Sequence, residues 1–184
     1  MTVRLIALTA LGEDRPGIVA GVCRVLYEIG GNLRDTSMTI LSGQFAMILV
    51  VTVPRTLDLG DLSLRFDPVR RDVGIEIFVK ELPEAPDRAA PATEQKDTYL
   101  VKVMGADRPG IVYRVADVMA RSGINIKDVE TRITDEDQNS VYIVLMEVVS
   151  GADTRMSEVE VELRRLAEEL TVEISVQPIE CTVL

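Results

Sequence analysis

The stretch EDRPGIV, Glu13 to Val19, returns as ADRPGIV, Ala106 to Val112, 93 residues further along the chain. At the same offset GGNLRD, residues 30–35, meets GINIKD, residues 123–128. Two unrelated motifs held in one register imply that a unit of about half the chain has been duplicated. The reading of one unit therefore serves for both.

Between the two motifs, Ile18, Val22, Val25 and Leu26 match Ile111, Val115, Val118 and Met119. Their i, i+4, i+7, i+8 spacing is one face of a helix, with Pro16 and Pro109 suited to its first turn. Ahead of each loop, VRLIALTA at 3–10 and TYLVKVMG at 98–105 are short, apolar and β-branched, as buried strands are. After the helix, LRDTSMTIL and FAMILVVTV form one predicted hairpin, and IKDVETRIT and VYIVLMEVV form its counterpart. A second helical stripe follows, Leu62, Phe66, Val69 and Val73 against Val159, Leu163, Leu166 and Leu170, now 97 residues apart, which assigns four extra residues to the loops of the second copy. Pro68 should kink or break the first version, because proline lacks the amide hydrogen and clashes with the turn before it. GIEIFVK and TVEISVQ supply a last strand to each copy.

The order is β-α-β-β-α-β twice, an α+β class in which each four-stranded antiparallel sheet carries two helices on one face. The expected division is residues 1–82, a proline-rich linker at 83–96 without apolar period, and residues 97–184. Exposed edge strands invite pairing, so the two copies are expected side by side, each extending the other's sheet.

Composition narrows the function classes. With no histidine, histidine-based general-base, triad and metal chemistry is excluded. Cys23 and Cys181 are far apart and form no CxxC, which gives a disulfide framework or structural zinc little support, and neither is read as reactive. The net charge of −10 falls as −2 on residues 1–92 and −8 on residues 93–184, and it opposes direct binding to a phosphate backbone. The acidic run Asp135, Glu136, Asp137 lacks the glycine and distant glutamate of a calcium loop and reads as an exposed hairpin tip. The amino terminus has no secretory-signal pattern and no apolar run reaches membrane-spanning length, so a soluble cytoplasmic protein is expected. No cofactor motif is present.

The doubled DRPG loop and the G-x-N-I/L that follows resemble the ACT domain family, whose members share a ferredoxin-like βαββαβ fold. Two such units in a short chain without a catalytic domain resemble the glycine-cleavage-system transcriptional repressor family. That resemblance spans nearly the whole chain. It implies a non-catalytic regulator that binds a small ligand, an amino acid in most ACT domains, at domain interfaces and controls a partner protein such as a regulator of glycine or amino-acid metabolism.

A free amino acid needs donors for its carboxylate and acceptors for its ammonium. Backbone amides at Gly17, Ile18, Gly110 and Ile111, near a helix amino terminus, suit the carboxylate; Asp14 and Asp107 suit the ammonium. Asn32 and Asn125, which match the family's loop asparagine, can donate and accept, and Leu33 and Ile126 complete the same motif. The plainer alternatives are helix-start electrostatics for the aspartates, tight turns for the glycines and a left-handed helix stop for the asparagines. Arg15 and Arg108 read as solvated loop charges. Two other function classes compete: a structural or oligomerisation module without sensing, and an enzyme on a ferredoxin-like fold. A homodimer is expected, with no specific nucleic-acid binding by the chain alone and no membrane.

Overall fold

Along Val3–Glu13 (β1), Ile6, Leu8 and Ala10 are buried while Leu5, Ala7 and Thr9, which alternate with them, are not, the two-residue period of a sheet covered on one face. The computed structural model describes residues 2–83, 97–136, 139–151 and 154–179. Two compact units, residues 1–90 and 91–184, contain them. Of the expected linker only Pro83 is described; the rest of it, Asp137 and Cys181 lie outside the described residues.

In the first unit β1 is followed by Ile18–Glu28 (α1), Asn32–Leu41 (β2), Gln44–Pro54 (β3), Leu59–Arg65 (α2), Asp67–Val73 (α3) and Ile75–Glu81 (β4). The second unit runs Thr98–Gly105 (β5), Ile111–Arg121 (α4), Asn125–Glu136 (β6), Asn139–Val149 (β7), Met156–Leu170 (α5) and Val172–Ile179 (β8). Each unit is one antiparallel sheet, ordered β2-β3-β1-β4 and β6-β7-β5-β8. Within each unit the expected helical stripes are the buried ones: Ile18, Val22, Val25 and Leu26 on α1, and Ile111, Val115, Val118 and Met119 on α4. They close a core against Leu8, Leu49 and Val51 in the first unit and Val103, Val144 and Met146 in the second.

The second helix differs between the copies as Pro68 requires. In the first unit it is interrupted at Phe66, with Pro68 in the first turn of α3; in the second, fifteen residues of α5 run without a break. Asp58 caps α2 by accepting from the amides of Gly60 at 2.7 Å and Asp61 at 3.1 Å. The four extra residues of the second copy lie in its β6–β7 hairpin and partly lengthen the strands: β6 runs on to Glu136, whereas β2 stops at Leu41 before a two-residue turn with positive φ at Ser42 and Gly43. Sheet pairing absorbs them because each further pair satisfies backbone groups that a loop would leave to water.

Candidate ligand site at the repeated loops

The two loops turn on the same backbone conformation at their glycines. Gly17 and Gly110 both have φ of 98°, in the left-handed region, and each is the N-cap of the helix that follows. Pro16 and Pro109 thus lie in the turn one residue before the cap, outside the helix rather than in its first turn. Neither cap is closed by a side chain. The first amides of α1 and α4 have no intrahelical partner by construction and carry the positive end of the helix dipole. A β-carbon built on Gly17 or Gly110 would meet nothing within 4 Å, so these glycines are explained by φ rather than by crowding, and the backbone there is open to approach.

The aspartates of the loop are exposed, and among the described residues their carboxylates take no hydrogen bond. Asp14 is fixed through its backbone, its amide donating to Gly43 at 2.9 Å in the β2–β3 turn. The arginines reach toward the end of the second helix of their own unit. Arg108 donates to the carbonyl of Leu170 at 3.4 Å, and Arg15, paired with Glu13 at 2.5 Å, passes close to Gly74. A guanidinium at a helix carboxyl end complements the orphan carbonyls and the dipole there, so these side chains do more than face solvent.

Asn32 and Asn125 open β2 and β6 and are exposed; Leu33 is exposed and Ile126 half-buried. They do not stop the helices: the left-handed residues are Gly30, φ 72°, and Gly123, φ 67°. One or two residues past each asparagine the register with the neighbouring strand slips, at Leu33/Asp35 and at Ile126/Asp128. The extra residues of these bulges, Arg34 and Lys127, are both basic, and a bulge re-aims the side chains around it. The repeated R/K-D of GGNLRD and GINIKD was the available signal for it.

The geometry divides the expected site residues into two groups. Asn32 shares a row with Thr52 and Leu5, whereas the DRPG loop leaves the sheet after Glu13, eight positions further along β1. At about 3.3 Å per residue that is roughly 26 Å. In the second unit Asn125 shares a row with Val149 and Thr98, and the loop leaves after Gly105. Within one unit the asparagine and the loop stand at opposite ends of the sheet and cannot hold the same amino acid.

Gly17 also borders a cleft of about 280 Å³ between α1 and α3, lined by Gly21, Arg24, Val69 and Asp72. The second unit bridges the corresponding place with an ion pair, Arg114 to Glu169 at 2.7 Å, where the first unit has Gly21 and Asp72. Among the described residues no group of acidic or cysteine side chains is arranged to hold a metal ion, and no helix is long and apolar enough to cross a membrane.

Comparison with known proteins agrees with the fold and extends it to sequence. A UPF0237 protein of Methanocaldococcus jannaschii is 33% identical over 76 residues, 41% of this chain and 84% of its own length. A UPF0237 protein of Streptococcus mutans is 33% identical over 73 residues, covering 40% of this chain and 83% of that protein. Among solved structures, a protein of unknown function from Galdieria sulphuraria superposes with a TM-score of 0.76 at 24% identity over 97% of this chain and 100% of its own. A candidate glycine cleavage system transcriptional repressor superposes with a TM-score of 0.66 at 17% identity, covering 98% and 99%; both are likenesses of fold. The profile of the ACT domain matches residues 4–80 and again residues 97–177, and the chain belongs to the ACT domain family as a tandem member.

Proposed function

We propose that the chain is a non-catalytic regulator that senses a free amino acid and passes the signal to a partner protein. The observation carrying this reading is the repeated loop: two helix amino termini, each behind a left-handed glycine with empty space above it and an uncommitted aspartate beside it. Amides at Gly17, Ile18, Gly110 and Ile111 suit a carboxylate. Asp14 and Asp107 are acceptors of the right charge for an ammonium. Asn32 with Leu33 and Asn125 with Ile126 form the second half of the site. Because loop and asparagine lie at opposite ends of a unit, one ligand touching both takes the loop of one ACT copy and the asparagine of another.

Ligand binding then acts by linkage: a ligand that prefers one arrangement of ACT copies shifts the population toward it and changes the surface a partner meets. The likeness in fold to a candidate glycine cleavage system repressor supports a regulatory partner such as a transcriptional activator of amino-acid metabolism. The net charge of −10 suits contact with that protein rather than with DNA. Calorimetric titration of the full chain with a panel of free amino acids, glycine and serine included, tests this reading. Saturable heat with one of them is expected; none with any would leave the doubled domains as an assembly module.

A further inference from the structure

The uncovered faces of the two sheets have diverged in chemistry although the loops have not. On the first unit's open face, cross-strand partners give the rows Phe78–Thr9–Ile48–Ser37, Glu76–Leu11–Ala46–Thr39 and Lys80–Ala7–Val50–Asp35. Leu11, Ile48 and Phe78 are 53%, 54% and 63% exposed around a shallow hollow of about 400 Å³. The equivalent rows of the second unit are Ser175–Lys102–Leu145–Glu130, Glu173–Met104–Ile143–Arg132 and Gln177–Leu100–Glu147–Asp128. Charge occupies the middle of that face, and Lys127 pairs with Glu147 at 2.5 Å. A contiguous apolar sheet face is costly to leave in water, and among the described residues the first unit carries one where the second unit's rows are broken by charge.

We propose that this face joins two copies of the chain, first unit to first unit, in an isologous face-to-face contact. The inference does not rest on ligand sensing. A two-fold axis parallel to the strands and midway between two facing sheets keeps each row and reverses the strand order, so β4 lies over the partner's β2 and β1 over the partner's β3. Every row is then self-complementary. Phe78 meets Ser37, Ile48 meets Thr9, Leu11 meets Ala46 and Val50 meets Ala7, a large residue over a small one each time. At one pair of corners Lys80 meets Asp35, opposite charges, and at the other Glu76 lies over Thr39. The sheets of such pairs cross at about 30°, which holds the central matches closest and leaves the long Lys80 side chain to reach its corner. The same operation on the second unit's face sets Lys102 over Leu145 and Glu147 over Leu100, burying charges against apolar groups.

Four strands about 4.8 Å apart and some 24 Å of strand length give a footprint of roughly 450 Å² per copy. This is about half of a standard interface, so a reversible dimer with a micromolar dissociation constant is expected rather than an obligate one. Sedimentation velocity of the full chain from about 1 to 100 µM tests it. The expected result is a concentration-dependent monomer–dimer equilibrium; a monomer throughout would overturn the proposal. Thr9→Lys and Phe78→Ser install residues that the second unit carries at the same register, Lys102 and Ser175, so the fold tolerates them. Each should weaken the dimer at least about tenfold. Lys80→Glu should also weaken it, and Lys80→Glu with Asp35→Lys should restore it. A dimer indifferent to Thr9→Lys and Phe78→Ser would show that the contact lies elsewhere and would overturn the assignment.

Discussion

Arg70 donates from Nη1 to the carbonyl of Ser63 at 2.7 Å, across the interruption between α2 and α3. The same guanidinium binds Asp67 Oδ1 at 2.7 Å and reaches the carbonyl of Ile77 on β4 at 2.6 Å. Pro68 removes a helical amide and orphans carbonyls in the preceding turn, and Arg70 supplies donors in its place. In the second unit the helix is unbroken, and the residue at the equivalent position is Ala167.

Arg70→Ala is therefore expected to destabilise the first unit by about 2–3 kcal/mol, the usual loss for part-buried hydrogen bonds to a charged group. Arg70→Lys should recover only a fraction, since an ammonium cannot span three acceptors as a fork does. Urea denaturation of the full chain checks this, and a loss under about 0.5 kcal/mol would remove Arg70 from its bracing role.

Much of this architecture was legible in the sequence because each signal is local. The helical stripes at Ile18 and Ile111 and the break at Pro68 follow from period and from proline's missing amide. Features set by the meeting of distant residues were not legible. Nothing in the period distinguishes Gly12 and Gly105 from ordinary strand residues, yet a β-carbon there would lie 2.8 Å from Ile75 Cγ2 and 2.7 Å from Val172 Cγ1. The separation of Asn32 from Asp14 was hidden for the same reason, because proximity along the motif is no guide to which end of a sheet a residue occupies. The contrast between the open faces emerges only when cross-strand partners such as Thr9 and Phe78 are known.

Thr171 has φ of 55° at the position where the first unit has Gly74, φ 69°. A β-branched residue in the left-handed region costs roughly 1–2 kcal/mol, offset in part by the greater unfolded-state freedom of glycine. Thr171→Gly should thus stabilise the second unit by about 0.5–1 kcal/mol, measured as a higher denaturant midpoint with an unchanged slope. A lower midpoint would show that the Thr171 side chain contributes contacts worth more than its strain.

The isolated chain should not form a sequence-specific complex with DNA. Its net charge of −10 opposes the phosphate term that supplies most non-specific affinity, and seven aromatic residues give few stacking platforms. A mobility-shift titration at physiological salt with competitor DNA is expected to show free DNA throughout. A sequence-selective shifted band from the chain alone would contradict the reading that any regulation passes through a partner.

Asn32→Ala and Asn125→Ala separate a binding role from a structural one. Both residues are exposed at the start of a strand, and the helix-stopping conformation belongs to Gly30 and Gly123, so neither substitution removes a cap. The thermal midpoint should stay nearly constant. Losing a hydrogen bond to a charged ligand group costs about 1.5–3 kcal/mol, or roughly ten- to a hundredfold in affinity for the amino acid that binds best. Asp14→Asn and Asp107→Asn should weaken the same ligand if each asparagine works with the loop of another ACT copy, because ammonium and carboxylate are then held from opposite sides. Calorimetry on the full chain reads affinity and stoichiometry together, and at least one asparagine and one aspartate variant should lose affinity. If both asparagine variants bind as tightly as the parent while an aspartate variant does not, the ligand is held by the DRPG loop alone and the shared site between copies is wrong.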